Sequence, residues 1–279
     1  MFSKVAGALI RAILVALLVA TPSLLLPSTA TDTAQLAVVL AILASCMTFI
    51  EYYGRYPSIV EFRFAPPFNR LKFLALGLTV LLLSLILRGQ SYPSALTMFL
   101  SLIGDGLGRA IDFPYSPVRL VVLMMPADAS PELITMVRTA AGLCYSISLV
   151  MLFIFVTCVR FYGWPLRNGA FNVWINLPFF DPTRGGDVLH RIKRDAGLNI
   201  VLGSFLPFLI PVAVKAASDL IDPISIANPQ TLIWTMTAWA FLPASMLMRG
   251  IAMSRIAEMI EQKRRRAYAR AESEALQQA

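Results

Sequence analysis

His190-Arg191-Ile192-Lys193-Arg194-Asp195 sets the single histidine of this chain five residues from a carboxylate. An imidazole accepts a proton from an alcohol near neutral pH, and a carboxylate can hold the ring in the tautomer that does so. The competing account is a solvated basic segment ahead of an apolar run, and Arg191, Lys193 and Arg194 favour it. A second stretch, Gly104-Asp105-Gly106-Leu107-Gly108-Arg109, spaces glycines as phosphate-binding loops do. It follows no predicted strand and lacks the Lys-Ser/Thr such a loop needs, so a flexible turn is expected there. G-x-S-x-G and H-E-x-x-H do not occur. One histidine cannot build a multi-histidine metal site, and Cys46, Cys144 and Cys158 form no C-x-x-C pair. No cofactor or metal is expected.

The His190–Asp195 spacing is similar to the catalytic dyad of the glycerolipid acyltransferases, where a His base activates the acceptor alcohol and Asp orients it. The resemblance covers those two residues. It implies a membrane-bound lipid-modifying enzyme with His190 as base and Asp195 as its orienting group. The chain departs from that pattern in having neither an evident Gly-rich substrate-phosphate motif nor a sizeable cytoplasmic catalytic domain.

The elements that must position these residues follow from composition. Of 279 residues, 57% are hydrophobic and 14% charged, where soluble domains carry about 25% charged residues. A bilayer can cover that much apolar surface and a soluble core of this length cannot. The apolar runs are continuous, which excludes the alternating strands of a transmembrane barrel. The expected fold is an all-α polytopic bundle. Its uncharged runs are Ala12–Thr31, Thr33–Ile50, Phe73–Leu87, Thr139–Val159, Ala196–Val214 and Thr231–Met248. Ser28-Thr29-Ala30 resembles a signal-peptide cleavage site, but the preceding apolar run is long for one and a retained helix is expected. Phe73–Leu87 is short for a span, which Lys72 and Arg88 offset by reaching outward. Pro207 and Pro211 should kink the fifth span. The region 88–138 reads as a semi-apolar extracytoplasmic cap, with eight spans as the alternative. Residues 1–250 then form the membrane domain, and 251–279 an amphipathic, basic helix and tail, with Ala252, Ile256, Met259 and Ile260 at helical spacing.

Two loops, 51–72 and 160–195, share an order of residues. One runs Tyr53-Gly54, Pro57, Pro67-Phe68-Asn69-Arg70; the other runs Tyr162-Gly163, Pro165, Pro178-Phe179-Phe180, ending at Arg184. Each follows a span that ends near a cysteine and precedes another span. A parallel duplication of helix–loop–helix units 33–87 and 139–214 would explain this; the rival account is that interfacial loops generally collect Tyr, Trp, Pro and Arg. Tyr53, Arg55, Tyr56, Arg63, Phe68, Arg70, Tyr162, Trp164, Phe179, Arg184 and the run Lys263, Arg264, Arg265 and Arg266 are the candidate contacts for anionic lipid headgroups or a protein partner. Glu51 and Glu61 fit an anionic surface poorly and should pair with the loop's own arginines, making the loop a folded one.

The net charge of +8 would suggest nucleic acid in a soluble protein. Here the cations flank apolar runs, so lipid headgroups are expected instead. No Asp, Glu, Lys or Arg lies in the second to sixth of these runs, which argues against a proton-coupled pump. The function expected is that of a non-enzymatic accessory, assembly or scaffold protein of a bacterial inner membrane, associating with other membrane proteins or with itself. The alternatives are a passive channel or transporter for a small or lipidic solute, and the acyltransferase-like enzyme. With six spans and the N-terminus inside, 19 Lys and Arg fall on inner segments and 5 (Arg88, Arg109, Arg119, Arg138, Lys215) outside. A topology reporter fused after Ala279 should therefore read as cytoplasmic, and one inserted between Pro126 and Ser130 as external.

Overall fold

A computed structural model describes residues 2–26, 31–165, 172–180, 185–217 and 227–278. Among them the chain is all-α, in the order α1 (Phe2–Leu25), α2 (Thr31–Tyr53), α3 (Phe68–Ser91), α4 (Ala95–Ile111), α5 (Pro117–Leu123), α6 (Pro131–Phe161), α7 (Val173–Asn176), α8 (Val188–Ala217) and α9 (Pro229–Gln278). Six of these, α1, α2, α3, α6, α8 and α9, are long and apolar enough to cross a membrane. α4 has 17 residues and α5 has 7, so among the described residues six helices are long and apolar enough to span. Pro27 to Ala30, Asp181 to Arg184, Asp219 and Asp222 lie outside the described residues.

Five of the six uncharged runs fall wholly inside one helix each. The first does not: α1 starts at Phe2 and closes at Leu25. Helix formation passes through Lys4 and Arg11 because a long cationic side chain keeps its head outward. Arg11 hydrogen-bonds the Gly7 carbonyl at 2.6 Å and lies 4.8 Å from the centre of the Tyr52 ring. Likewise α3 extends past the short run Phe73–Leu87 at both ends and reaches 24 residues, about 36 Å at 1.5 Å per residue.

The centre of the bundle is α3, α6 and α9, and α1, α2 and α8 stand at its edge. Outer helices expose large apolar side chains away from their one packed face: α2 buries Ala37 and Ala41 and leaves Leu36, Val38, Leu40, Ile42, Leu43, Met47 and Ile50 uncovered. A helix apolar all round belongs in lipid or a core, and patches this continuous are rare on soluble monomers.

Small residues let the helices approach closely. The segment Gly104–Arg109 lies inside α4 and is not the turn its composition suggests. Gly104 and Gly108, four residues apart, share one face, which crosses α6 at Thr139 and Gly142; a Cβ on Gly108 would stand 2.9 Å from the Arg138 carbonyl oxygen. This is the small-xxx-small packing of membrane helices. Five of the charges in 88–138 pair there: Arg109 with Asp105 at 2.7 Å, Arg119 with Asp112 at 3.4 Å, and Arg138 between both carboxylates at 3.8 and 3.9 Å.

The most extensive pairing is α8 with α9. A Cβ on Gly203 would stand 2.7 Å from the Pro243 carbonyl oxygen, and one on Gly250 would stand 2.9 Å from that of Ala196. Both prolines expected to bend the fifth span lie within α8. Pro211 has no N–H to give the Pro207 carbonyl, and Trp239 Nε1 donates to it instead at 3.0 Å. Trp239 also stacks on Tyr145, with centroids 5.8 Å apart. Gly250→Leu should lower the unfolding temperature in detergent, through overpacking on the order of 1–3 kcal/mol. Gly197→Leu, where a Cβ meets nothing within 4 Å, should leave that temperature nearly unchanged.

Candidate functional site

One end of the bundle gathers both aromatic loops and the second half of α9. The loop after α2 is wound back on the helix by two side chains. The Glu51 carboxylate, 5% exposed, accepts from the backbone N–H groups of Ser58, Ile59 and Val60 at 3.0–3.1 Å and from the Ser58 hydroxyl. Three converging N–H groups form an anion-binding concavity that the chain fills with its own carboxylate. The Arg63 guanidinium donates to the carbonyls of Glu51, Gly54 and Arg55, capping the C-terminus of α2. Burial is the first influence on Arg63 and pulls its pKa below the ordinary value, against the attraction of Glu51.

The second loop is stitched to the first. Asn176 accepts from Phe62 N–H through its backbone oxygen at 2.7 Å and from Phe64 N–H through Oδ1 at 3.1 Å. Trp164 Nε1 donates to the Ala65 carbonyl at 3.1 Å. Between them lies an aromatic core: Phe62 and Phe68 at 4.4 Å, Phe155 and Trp164 at 5.0 Å, and Phe68 and Phe155 at 5.4 Å between centroids. Leu177, Ile192, Met248, Met253 and Ile256 complete it.

The stem of α9 is braced against both loops. Arg249 grips Glu61 through two parallel bonds, Nε to Oε2 at 2.6 Å and Nη2 to Oε1 at 2.9 Å, the strong fork geometry of guanidinium and carboxylate. Arg255 Nε donates to the Trp164 carbonyl at 3.3 Å. Lys193 meets Glu261 at 2.7 Å and Arg264 meets Asp187 at 2.8 Å. The hydrogen bond from Arg264 holds the Asp187 carboxyl below its usual range.

Sequence-predicted residues divide accordingly. Tyr53, Arg55, Tyr56, Arg70, Tyr162, Phe179, Lys263 and Arg266 are on the surface, and Arg184 lies outside the described residues. Phe68 and Trp164 are buried in the aromatic core, and Arg63 is committed to backbone carbonyls, so these three are internal supports and not contacts. Arg264 and Arg265 are exposed but ion-paired. Glu61 takes its partner from α9 and not from its own loop, and the Glu51 carboxylate binds backbone N–H groups. The apolar stripe containing Ala252 and Ile256 is buried against the protein's own loops, as are Met253 and Ala257; α9 continues the sixth span as one helix of 50 residues.

His190 and Asp195 are not assembled into a dyad. Five residues apart on α8, they project about 140° from each other at 100° per residue. His190 is exposed and Asp195 contacts Arg194 at 3.4 Å. Among the described residues no three His, Cys, Asp or Glu side chains converge as a metal site would require.

No family model, curated protein or solved structure matches this chain. The site therefore stands on its geometry.

One feature had no sequence signal beyond helical period. The backbones of α6 and α8 stay more than 8 Å apart, Cα to Cα, while α9 is packed against both. The resulting groove holds two clefts. One of about 240 Å³ is walled by Tyr145, Ser148, Leu149 and Leu152 of α6, Gly203, Ser204 and Pro207 of α8, and Ala240, Ala244 and Leu247 of α9. The other, about 340 Å³, is walled by Val159, Arg160, Gly163, Ile200, Ile251, Ser254, Arg255 and Glu258.

Glu61→Ala should cost about 3 kcal/mol of stability, as removal of one member of a largely buried pair does. Arg249→Ala should cost a similar amount, and the double variant clearly less than the sum, read from thermal unfolding of the purified chain.

Proposed function

We propose that the chain is a non-enzymatic scaffold or assembly protein of a bacterial inner membrane, with the loop end in the cytoplasm, presenting the last part of α9 to another membrane protein or to a second copy of itself. The observation that carries the reading is where the bracing stops. Contacts of α9 to α8 and the loops run from Arg249 to Arg264. From Gln262 through Gln277 every residue is exposed, so a rigid stem supports an uncovered helical arm. Arg266, Tyr268 and Arg270 on that arm are residue types favoured at binding hot spots.

The orientation rests on the 19-to-5 distribution of cations, since the segments carrying the larger number gather at the loop end. Exposed Tyr56, Phe161, Tyr162 and Phe179 at that end suit the headgroup level, as do Tyr92 and Tyr115 at the other. Anionic headgroups are the lipid partner in this reading. The duplication of 33–87 and 139–214 is part of the same proposal. Its support is that both loops lie at one end, and that α2 and α3, like α6 and α8, are held apart by a third helix. That third helix precedes one unit (α1) and follows the other (α9), so the two are not copied in full. A second reading, passive passage of a small or lipidic solute, draws on the cleft beside Pro207.

A chain ending at Arg265, which keeps the Arg264–Asp187 and Lys193–Glu261 pairs, tests the scaffold reading. It should keep the unfolding temperature of the full chain yet sediment in mild detergent as a smaller species than the full chain does at native expression. Equal sizes would overturn the reading.

A further inference from the structure

The two clefts between α6 and α8 share one face of each bounding helix. On α6 the wall runs Tyr145, Leu149, Leu152 and Val159, steps of three, four and seven residues, with Gly163 just past the helix end; on α9 it runs Ala240, Ala244, Leu247, Ile251 and Arg255. Residues so spaced lie in one stripe of a helix. The clefts are therefore successive parts of a single groove, with α9 as its floor.

The two parts differ in chemistry. Around Leu149 and Pro207 the walls are apolar apart from a few hydroxyls, and the slot opens to the side at Leu149 and Ser204. Toward the loop end the groove closes on two guanidiniums, Arg160 and Arg255, beside the Ser254 hydroxyl. Arg255 is shared with Glu258 at 3.1 Å. Arg160 is exposed, and among the described residues no ion pair engages it. The lining carries a net charge of +1, from two arginines and one glutamate. From Arg160 to Leu149 is eleven residues of helix, about 16 Å, close to half of a ~30 Å hydrocarbon core. The basic end thus falls at headgroup depth when the apolar slot lies near the midplane.

We infer that this groove is a binding site for an anionic glycerophospholipid, its phosphate against Arg160 and Arg255 and an acyl chain in the slot between Leu149 and Pro207. The inference rests on the chain spanning a membrane and is independent of the scaffold role. A zwitterionic lipid fits the slot equally and meets the cationic end less well. A free phosphate meets the cationic end and leaves the slot empty.

Native mass spectrometry of the full chain in detergent, with equal amounts of dioleoyl phosphatidylglycerol and dioleoyl phosphatidylcholine, tests this. The phosphatidylglycerol adduct should predominate. Arg160→Gln should reduce that preference about fivefold, the worth of one arginine at an anionic surface, and Arg160→Gln with Arg255→Gln should reduce it further. Arg55→Gln with Arg70→Gln, exposed cations elsewhere at the loop end, should leave it intact. Leu149→Trp with Ser204→Trp, which fills the slot, should reduce adducts of both lipids, and excess glycerol 3-phosphate should displace neither. The proposal is overturned if Arg160→Gln keeps the full preference, if the Arg55/Arg70 variant loses as much, if the filled slot still retains lipid, or if glycerol 3-phosphate strips it. Arg255 also bonds the Trp164 carbonyl, so should the double variant unfold, Arg160→Gln alone decides. The chain ending at Arg265 should keep the preference, which separates this site from the role of the arm.

Discussion

The ends of hydrophobic helices pose the governing problem of this molecule. A helix in lipid satisfies its own backbone except in its first and last turns, and those turns must find partners close to the bilayer. Here the chain supplies partners internally, for the end of α2 and for the loop backbone beyond it. Glu51 gathers three backbone N–H groups, Arg63 gathers three backbone carbonyls, and Asn176 and Trp164 bond the first loop to the second. Because these bonds lie over a dry aromatic core, losing one leaves an unpaired group with little access to water. The loops are thus a folded layer, and the positions of α3, α6 and α8 at that end follow from it.

Above the layer, α9 is the common neighbour. It packs on α8, α6 and α3 within the bundle and on both loops beyond it. Two kinds of contact alternate along its length. Glycine at 250, and Gly203 opposite Pro243 and Leu247, bring backbones together where only dispersion and hydrogen bonds drive association. Past Gly250 the contacts become apolar burial and ion pairs, as suits a segment leaving the hydrocarbon. The Pro207 carbonyl shows the same logic inside the bundle, where Trp239 replaces the donor that Pro211 lacks.

Much of the architecture was legible from the sequence, because uncharged runs of span length have one inexpensive conformation in lipid. The six long helices and the folded character of loop 51–72 follow from that and from two ill-placed glutamates. What escaped depends on distance in sequence or on backbone proximity. Arg249 and Glu61 are 188 residues apart, and nothing local in either marks the pair. Gly104 and Gly108 look like turn residues when read for flexibility; read with a period of four, they mark a helix crossing. Phe68 and Trp164 are types that serve equally at an interface or in a core, and only the tertiary fold separates the two. His190 and Asp195 diverge because both lie on α8, where five residues is not a same-face interval.

The unbroken course of α9 has a mechanical meaning. Twenty-eight residues separate the Gly250 crossing from Gln278, a lever of about 42 Å. Rotation of the α8–α9 pair by ten degrees about that crossing would sweep the tip through roughly 7 Å, by the same rise per residue. Small changes of tilt inside the bilayer, of the size set by a bilayer's thickness, are in this way magnified into displacements large enough to make or part a side-chain contact outside it.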